Sequence, residues 1–177
     1  MLSLNIEWRY KIQEIYSFLA DAMLGKIARK LRILGFDTIY ISNIEDDAIL
    51  DLLFQTERIL LTADKGLFYR SKKYNLLSIF LNNNTEIENL VTIFRNLNIK
   101  NIYLNSKYYR CSICNNKLTF IENPDTIKKE IHQKIFENNK NFFKCYECNK
   151  LYWCGSHIKK ISLLIEKINN ILNLNNV

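Results

Sequence analysis

Four of the five cysteines fall in two Cys-x-x-Cys pairs, Cys111 and Cys114 in RCSIC and Cys145 and Cys148 in KCYEC. Two intervening residues let both sulfurs of a pair turn toward one metal. Two such turns build a tetrahedral four-thiolate site of the kind that zinc favours. Thirty residues separate the pairs, which matches a zinc ribbon with a long insert between its knuckles. Asn115 and Asn149 follow the pairs directly. A left-handed residue is wanted there, and Asn tolerates that conformation. The pattern predicts a structural zinc site over a disulfide scaffold, a redox pair or an iron–sulfur cluster. Cys154 is then a spare thiol, and His157 is not needed as a ligand.

Acidic residues form a second set. Asp21 follows the apolar run YSFLA (16–20), and Asp64 follows RILLTA (58–63). Asp46 and Asp47 stand at the mouth of the helix that precedes that second run. An α/β sheet places functional residues at or just beyond the C-termini of its strands. Carboxylates gathered there without cations repel and raise each other's pKa. Mg²⁺ or Mn²⁺ relieves the repulsion and can activate water against a phosphate. The competing reading of Asp46 or Asp47 is a helix cap, and Asp37 reads as a surface or turn acid. Lys26, Arg29, Lys30 and Arg32 are candidate phosphate contacts, or simply the wet face of a helix.

The elements that must position these residues follow from hydrophobic patterning. Residues 1–16 read as a short polar-apolar lead-in with one helix. Tyr16–Ala20 reads as a buried strand. Met23–Leu34 is an amphipathic helix with Leu24, Ile27, Ala28, Leu31 and Leu34 on one face, closed by Gly35. Phe36–Ile41 suits a second strand. A helix starting at Asp46 or Asp47 carries Ile49, Leu52 and Leu53 inward, and Arg58–Ala63 and Leu76–Leu81 are further strands. Glu86–Leu97 is a helix through Ile87, Leu90, Val91 and Phe94. Strand and helix in alternation predict an α/β fold with a mainly parallel sheet. The cysteine module follows at about 107–157, with a charged, helix-compatible stretch at 124–140. Ile158–Leu174 has helical apolar spacing at Ile161, Leu164, Ile165, Ile168 and Leu172.

Bulk properties narrow the function. Hydrophobic residues make up 48% of the chain, enough for a packed core, and the formal net charge is +7. Residues 101–177 hold 12 Lys/Arg against 6 Asp/Glu, so the positive excess sits in the cysteine-bearing half. Such a surface favours a polyanion such as RNA through counterion release. No apolar stretch reaches the roughly 20 residues of a membrane span, and no secretory pattern opens the sequence. The expectation is a cytoplasmic protein with no membrane partner. Oligomeric state is not legible.

Three blocks carry a family resemblance. FLADAMLGKIARKLRILGFDTIY (18–40), DDAILDLLFQTERILLTADKGL (46–67) and FKCYECNKLYWCGSHIKKI (143–161), with the first knuckle, resemble the Mut7-C ribonuclease family over about residues 16–165. The resemblance implies a PIN-like three-layer domain over 16–104 and a zinc ribbon with a closing C-terminal helix over 105–177. It implies a metal-dependent ribonuclease, with Asp21, Asp46 and Asp64 around Mg²⁺ or Mn²⁺ and Asp47 as an alternative to Asp46. Lys26, Arg29 and Lys30 are candidate RNA contacts, as is Arg58, which matches the arginine that opens the third strand. Its own alternative is pairing with a nearby acid. Four positions depart from the family pattern: Ala63 where arginine is common, Gly66 where related proteins often place a second Asp, Leu53 for a small residue, and Cys154 where cysteine is unusual. The competing functions are a non-catalytic RNA-binding or ribosome-associated zinc-ribbon protein and a toxin-type PIN-like ribonuclease.

Overall fold

The computed structural model describes residues 12–82 and 85–174. Most of the lead-in, residues 1–11, lies outside them. Strands β1 (Ser17–Ala20), β2 (Asp37–Tyr40), β3 (Ile59–Thr62) and β4 (Ser78–Phe80) form one sheet in the order β2-β1-β3-β4. Every pairing in it is parallel. Helices α1 (Gly25–Ile33), α2 (Asp46–Thr56), α3 (Lys65–Lys73) and α4 (Glu86–Asn96) connect or flank the strands.

Side-chain alternation splits the core into two faces. Phe18, Ala20, Ile59 and Leu61 point to one side, against Ile27, Ala28 and Leu31 of α1 and Leu90, Val91 and Phe94 of α4. Leu19 and Leu60 point to the other, against Ile49, Leu50 and Leu53 of α2 and Leu67 of α3. Leu53, the departure from a small residue, is 1% exposed and fills this second face. The result is the expected three-layer α/β arrangement. Gly35 ends α1 with φ +98°. A Cβ there would also lie 2.7 Å from the Cβ of Tyr108, so glycine is required twice over.

The cysteine-bearing segment forms a second, antiparallel sheet of β5 (Thr119–Phe120), β6 (Phe142–Lys144) and β7 (Leu151–Trp153). Phe142, Ile121 and Ile127 make its small core. The stretch 124–140 holds a 3₁₀ turn at Pro124–Ile127 and a short helix, α5 (Gln133–Asn138). Helix α6 (Ser156–Leu174) then leaves the ribbon and returns to the α/β core. Its buried residues Ile161, Ile165, Ile168 and Leu172 join the same cluster as α1 and α4. The Asn169 amide accepts from Ile102 N–H at 2.8 Å and donates to Ile102 C=O at 2.9 Å, which fixes the register of that return. Among the described residues no helix is long and apolar enough to cross a membrane.

Candidate functional site

The knuckles are built alike. Cys111 N–H donates to the carbonyl of Asn116 at 2.8 Å, and Cys145 N–H to that of Lys150 at 2.9 Å. Asn115 and Asn149 take the left-handed conformation, with φ 70° and 57°, as their positions require. The turns bring all four sulfurs within 4.8 Å of one another. Cys111–Cys148, Cys114–Cys145 and Cys114–Cys148 are 3.5, 3.3 and 3.7 Å apart. Disulfide sulfurs would sit at about 2.05 Å, whereas a tetrahedron with metal–sulfur bonds of about 2.3 Å has edges of about 3.8 Å. The four thiols therefore suit a metal such as zinc. Neither Cys154 nor His157 belongs to the group.

The Tyr152 hydroxyl lies 3.0 Å from Cys111 Sγ and accepts from Ser112 N–H at 3.2 Å. Burial works to raise the pKa of Cys111, but the Cys114 N–H, the Tyr152 hydroxyl and the Ile113 N–H outweigh it and pull the thiol down to about 6. Burial instead pushes Cys114 up to about 12, so Cys111 is the readier of that pair to serve as a thiolate ligand.

Two polar groups tie this centre to the α/β layer. Arg32, read from the sequence as part of a wet helix face, is instead 4% exposed. It donates to the carbonyls of Thr38, Ser112 and Ile113 at 2.8, 3.1 and 2.8 Å. Asp37 is half-buried and is no simple surface acid: it pairs with Arg58 at 2.7 Å and Arg110 at 3.4 Å. It also accepts from the Asn115 amide at 2.8 Å. Burial tends to raise the pKa of Asp37, and bonds from Arg58 and Asn115 with the charge of Arg110 bring it below the usual range.

The opposite edge of the sheet carries the acids. Asp21 directly follows β1 and is 5% exposed. Its Oδ1 accepts from Met23 N–H at 2.9 Å, and its Oδ2 from Ala63 N–H at 3.0 Å and from the Thr62 hydroxyl. The same hydroxyl accepts from Asp64 N–H at 2.9 Å, so Thr62 links the two acids. Asp64 is exposed and caps α3 through Oδ1, which accepts from Leu67 N–H at 2.9 Å.

The family model of the Mut7-C RNAse domain matches residues 16–165. The chain belongs to the Mut7-C RNAse domain family. That membership carries a ribonuclease-type function. No curated protein and no solved structure gives a significant match.

In this Mut7-C chain the other candidate residues are distributed unevenly. Asp46 opens α2 and Asp47 follows it, and both pair with Arg70 of α3, Asp46 at 3.4 Å. The pairing with Asp47, then the charge of Asp46, raises the pKa of Arg70. Arg70 had no signal in the sequence beyond its charge. Among the described residues the four cysteines are the one group of three or more metal-binding side chains close enough to share an ion; Asp21, Asp46 and Asp64 are not drawn together to that degree. Lys26 and Arg29 are exposed on α1, and Lys30 lies 4.0 Å from Glu86. Arg58 precedes β3, at the edge of the sheet opposite Asp21 and Asp64. There it pairs with Asp37, the competing reading of that residue. Gly66 leaves the Asp64 carboxylate uncrowded: a Cβ there would come within 3.1 Å of Asp64 Oδ1.

Proposed function

We propose that the protein hydrolyses RNA phosphodiester bonds at the carboxyl edge of its parallel sheet, with zinc holding the cysteine site as a structural metal. The observation that carries this reading is the placement of Asp21 and Asp64. In the order β2-β1-β3-β4 the connections diverge between β1 and β3, and the crevice beyond that point is where α/β sheets bind ligands. Asp21 follows one of those strands and Asp64 the other, and the Thr62 hydroxyl joins the Asp21 carboxylate to the Asp64 backbone N–H.

The donor set fits hydrated Mg²⁺ or Mn²⁺, which keeps several waters and needs only one or two carboxylates. Asp64 spends Oδ1 on its helix and retains Oδ2; Asp21 is held in a fixed orientation by its three donors. Asp46 is the third acid on this edge, its charge met by Arg70 at 3.4 Å. When bound, the ion supplies activation of water and neutralisation of phosphoryl charge. Lys26 and Arg29 hold the RNA backbone from α1 and so fix the phosphate beside the acids.

The test is cleavage of single-stranded RNA with Mn²⁺, wild type against Asp21→Asn. The substitution keeps the side-chain shape and should abolish cleavage with the zinc content unchanged. Equal cleavage by both proteins refutes the site. RNA binding without cleavage by either supports a non-catalytic RNA-binding protein instead.

A further inference from the structure

A cleft of about 360 Å³ opens between the ribbon and the C-terminal end of α1, and none of the acids lines it. Ile33 of α1, Tyr109, Phe143, Trp153 and the first turn of α6 contribute to its wall. Its volume lies in the range of small-molecule sites, about 300–1,000 Å³.

The lining is aromatic and basic. It includes Arg110, Lys150 and His157 and no Asp or Glu. Arg110 is committed to Asp37 and to the Asn115 carbonyl. The side chains of Lys150 and His157 have no partner among the described residues. Trp153 is 37% exposed. It lies against Gly155, where a Cβ would come within 3.0 Å of its Cδ1 and Nε1. The missing side chain is what lets the ring lie there. Tyr109 meets Phe143 edge-on at 5.5 Å, and Phe143 meets Phe120 at 5.5 Å, so the aromatic wall is braced from behind. The Tyr152 ring is pinned by its hydroxyl at Cys111 and Ser112. Preorganised aromatic faces with flanking cations are how proteins hold the splayed bases of single-stranded RNA.

The cleft also has a path to the acids. Helix α1 has nine residues and so is about 13 Å long. Its first residues adjoin Asp21 and its last, Ile33, reaches the cleft, with Lys26 and Arg29 exposed between. We infer that this cleft binds one base of a single-stranded RNA, a few nucleotides from the phosphate at the acidic edge, with the base against Trp153 and Tyr109. Lys150 and His157 take the adjoining phosphate. The inference rests on the chain acting on RNA, but not on its cleaving RNA.

The experiment uses the full zinc-loaded chain carrying Asp21→Asn and Trp8→Phe, which leaves Trp153 as the sole tryptophan. A short single-stranded RNA is titrated without Mn²⁺ or Mg²⁺, and beside it the same backbone with abasic residues. The expected result is saturable quenching of Trp153 by the RNA and at least tenfold weaker binding of the abasic strand. Trp153→Ala and Gly155→Val should weaken RNA binding about tenfold, with zinc content and circular dichroism unchanged. Equal affinity for the two strands, or RNA binding that leaves Trp153 emission unaltered, overturns the cleft. The two readings separate cleanly. Wild-type cleavage with no base-dependent quenching refutes the cleft alone. Base-dependent quenching in a chain that never cleaves refutes the nuclease alone.

Discussion

Replacing Arg32 by methionine should loosen the ribbon from the α/β layer and weaken the zinc site with it. Arg32 is 4% exposed and its guanidinium serves three carbonyls, those of Thr38, Ser112 and Ile113. Two of these belong to the turn between the ligands Cys111 and Cys114. A hydrogen bond to a charged group contributes about 1.5–3 kcal/mol, and a buried acceptor left without a donor costs about 1–3 kcal/mol. Methionine fills most of the volume and avoids burying a charge, which offsets part of the loss. The net cost should be about 3–5 kcal/mol. At about 2–4 °C per kcal/mol for a chain of this size, Tm should fall by roughly 10 °C. Zinc affinity should fall about 10–100-fold, the usual result of removing a group that orients a metal site from outside it. Thermal melts followed by circular dichroism and competition with a chromophoric chelator measure the two effects. Arg32→Lys should recover only part of each, because an ammonium cannot reproduce the planar fork. Unchanged Tm and unchanged zinc affinity in Arg32→Met would refute the assignment of Arg32 as the anchor.

Other outcomes follow from the same contacts. Stripping zinc should unfold the ribbon, since a structural zinc is worth about 10–16 kcal/mol of apparent binding energy; loss of near-ultraviolet dichroism on chelation, restored by zinc, checks this. The folded pKa of Asp37 lies below its ordinary value, so its stabilisation is complete above the unfolded value of about 3.9 and is lost as pH falls through the folded one. The stability gap between wild type and Asp37→Asn should therefore be constant near neutrality and close in acid, as read by urea melts across pH. Removing the cation that Arg70 places on Asp46 and Asp47 should strengthen Mn²⁺ binding a fewfold, and calorimetric titration of Arg70→Ala against wild type measures the change.

Local chemistry explains which features could be read from the sequence. The cysteine site was legible because a Cys-x-x-Cys turn is a local device, and Asn115 and Asn149 marked the left-handed positions. The α/β layers were legible because β1 and β3 are apolar and α1 and α4 are amphipathic. Helix α3 leaves no such mark in the sequence. Its sequence KGLFYRSKK buries only Leu67 and Ser71, so it has no apolar stripe to see. Asp64, read as a candidate metal ligand, also caps that helix. Arg32 and Asp37 were misplaced for a different reason: polarity predicts exposure, and nothing within a few residues shows that another segment will cover them. Their partners Ser112 and Asn115 stand 80 and 78 positions away. The pairing of Arg70 with the acids of α2 is likewise set by tertiary packing, across 23 positions for Asp47.

The return of α6 to the α/β core has a kinetic consequence. The Ile102–Asn169 clamp closes across a separation of 67 residues, a long loop to order during folding. A metal joining Cys111 to Cys148 bridges 37 of those residues. The loop that must still close then shrinks to about 30, which lowers its closure entropy by about 0.7 kcal/mol. Zinc should thus speed the docking of α6 about threefold, acting as a tether for the α/β domain as well as a staple for the ribbon.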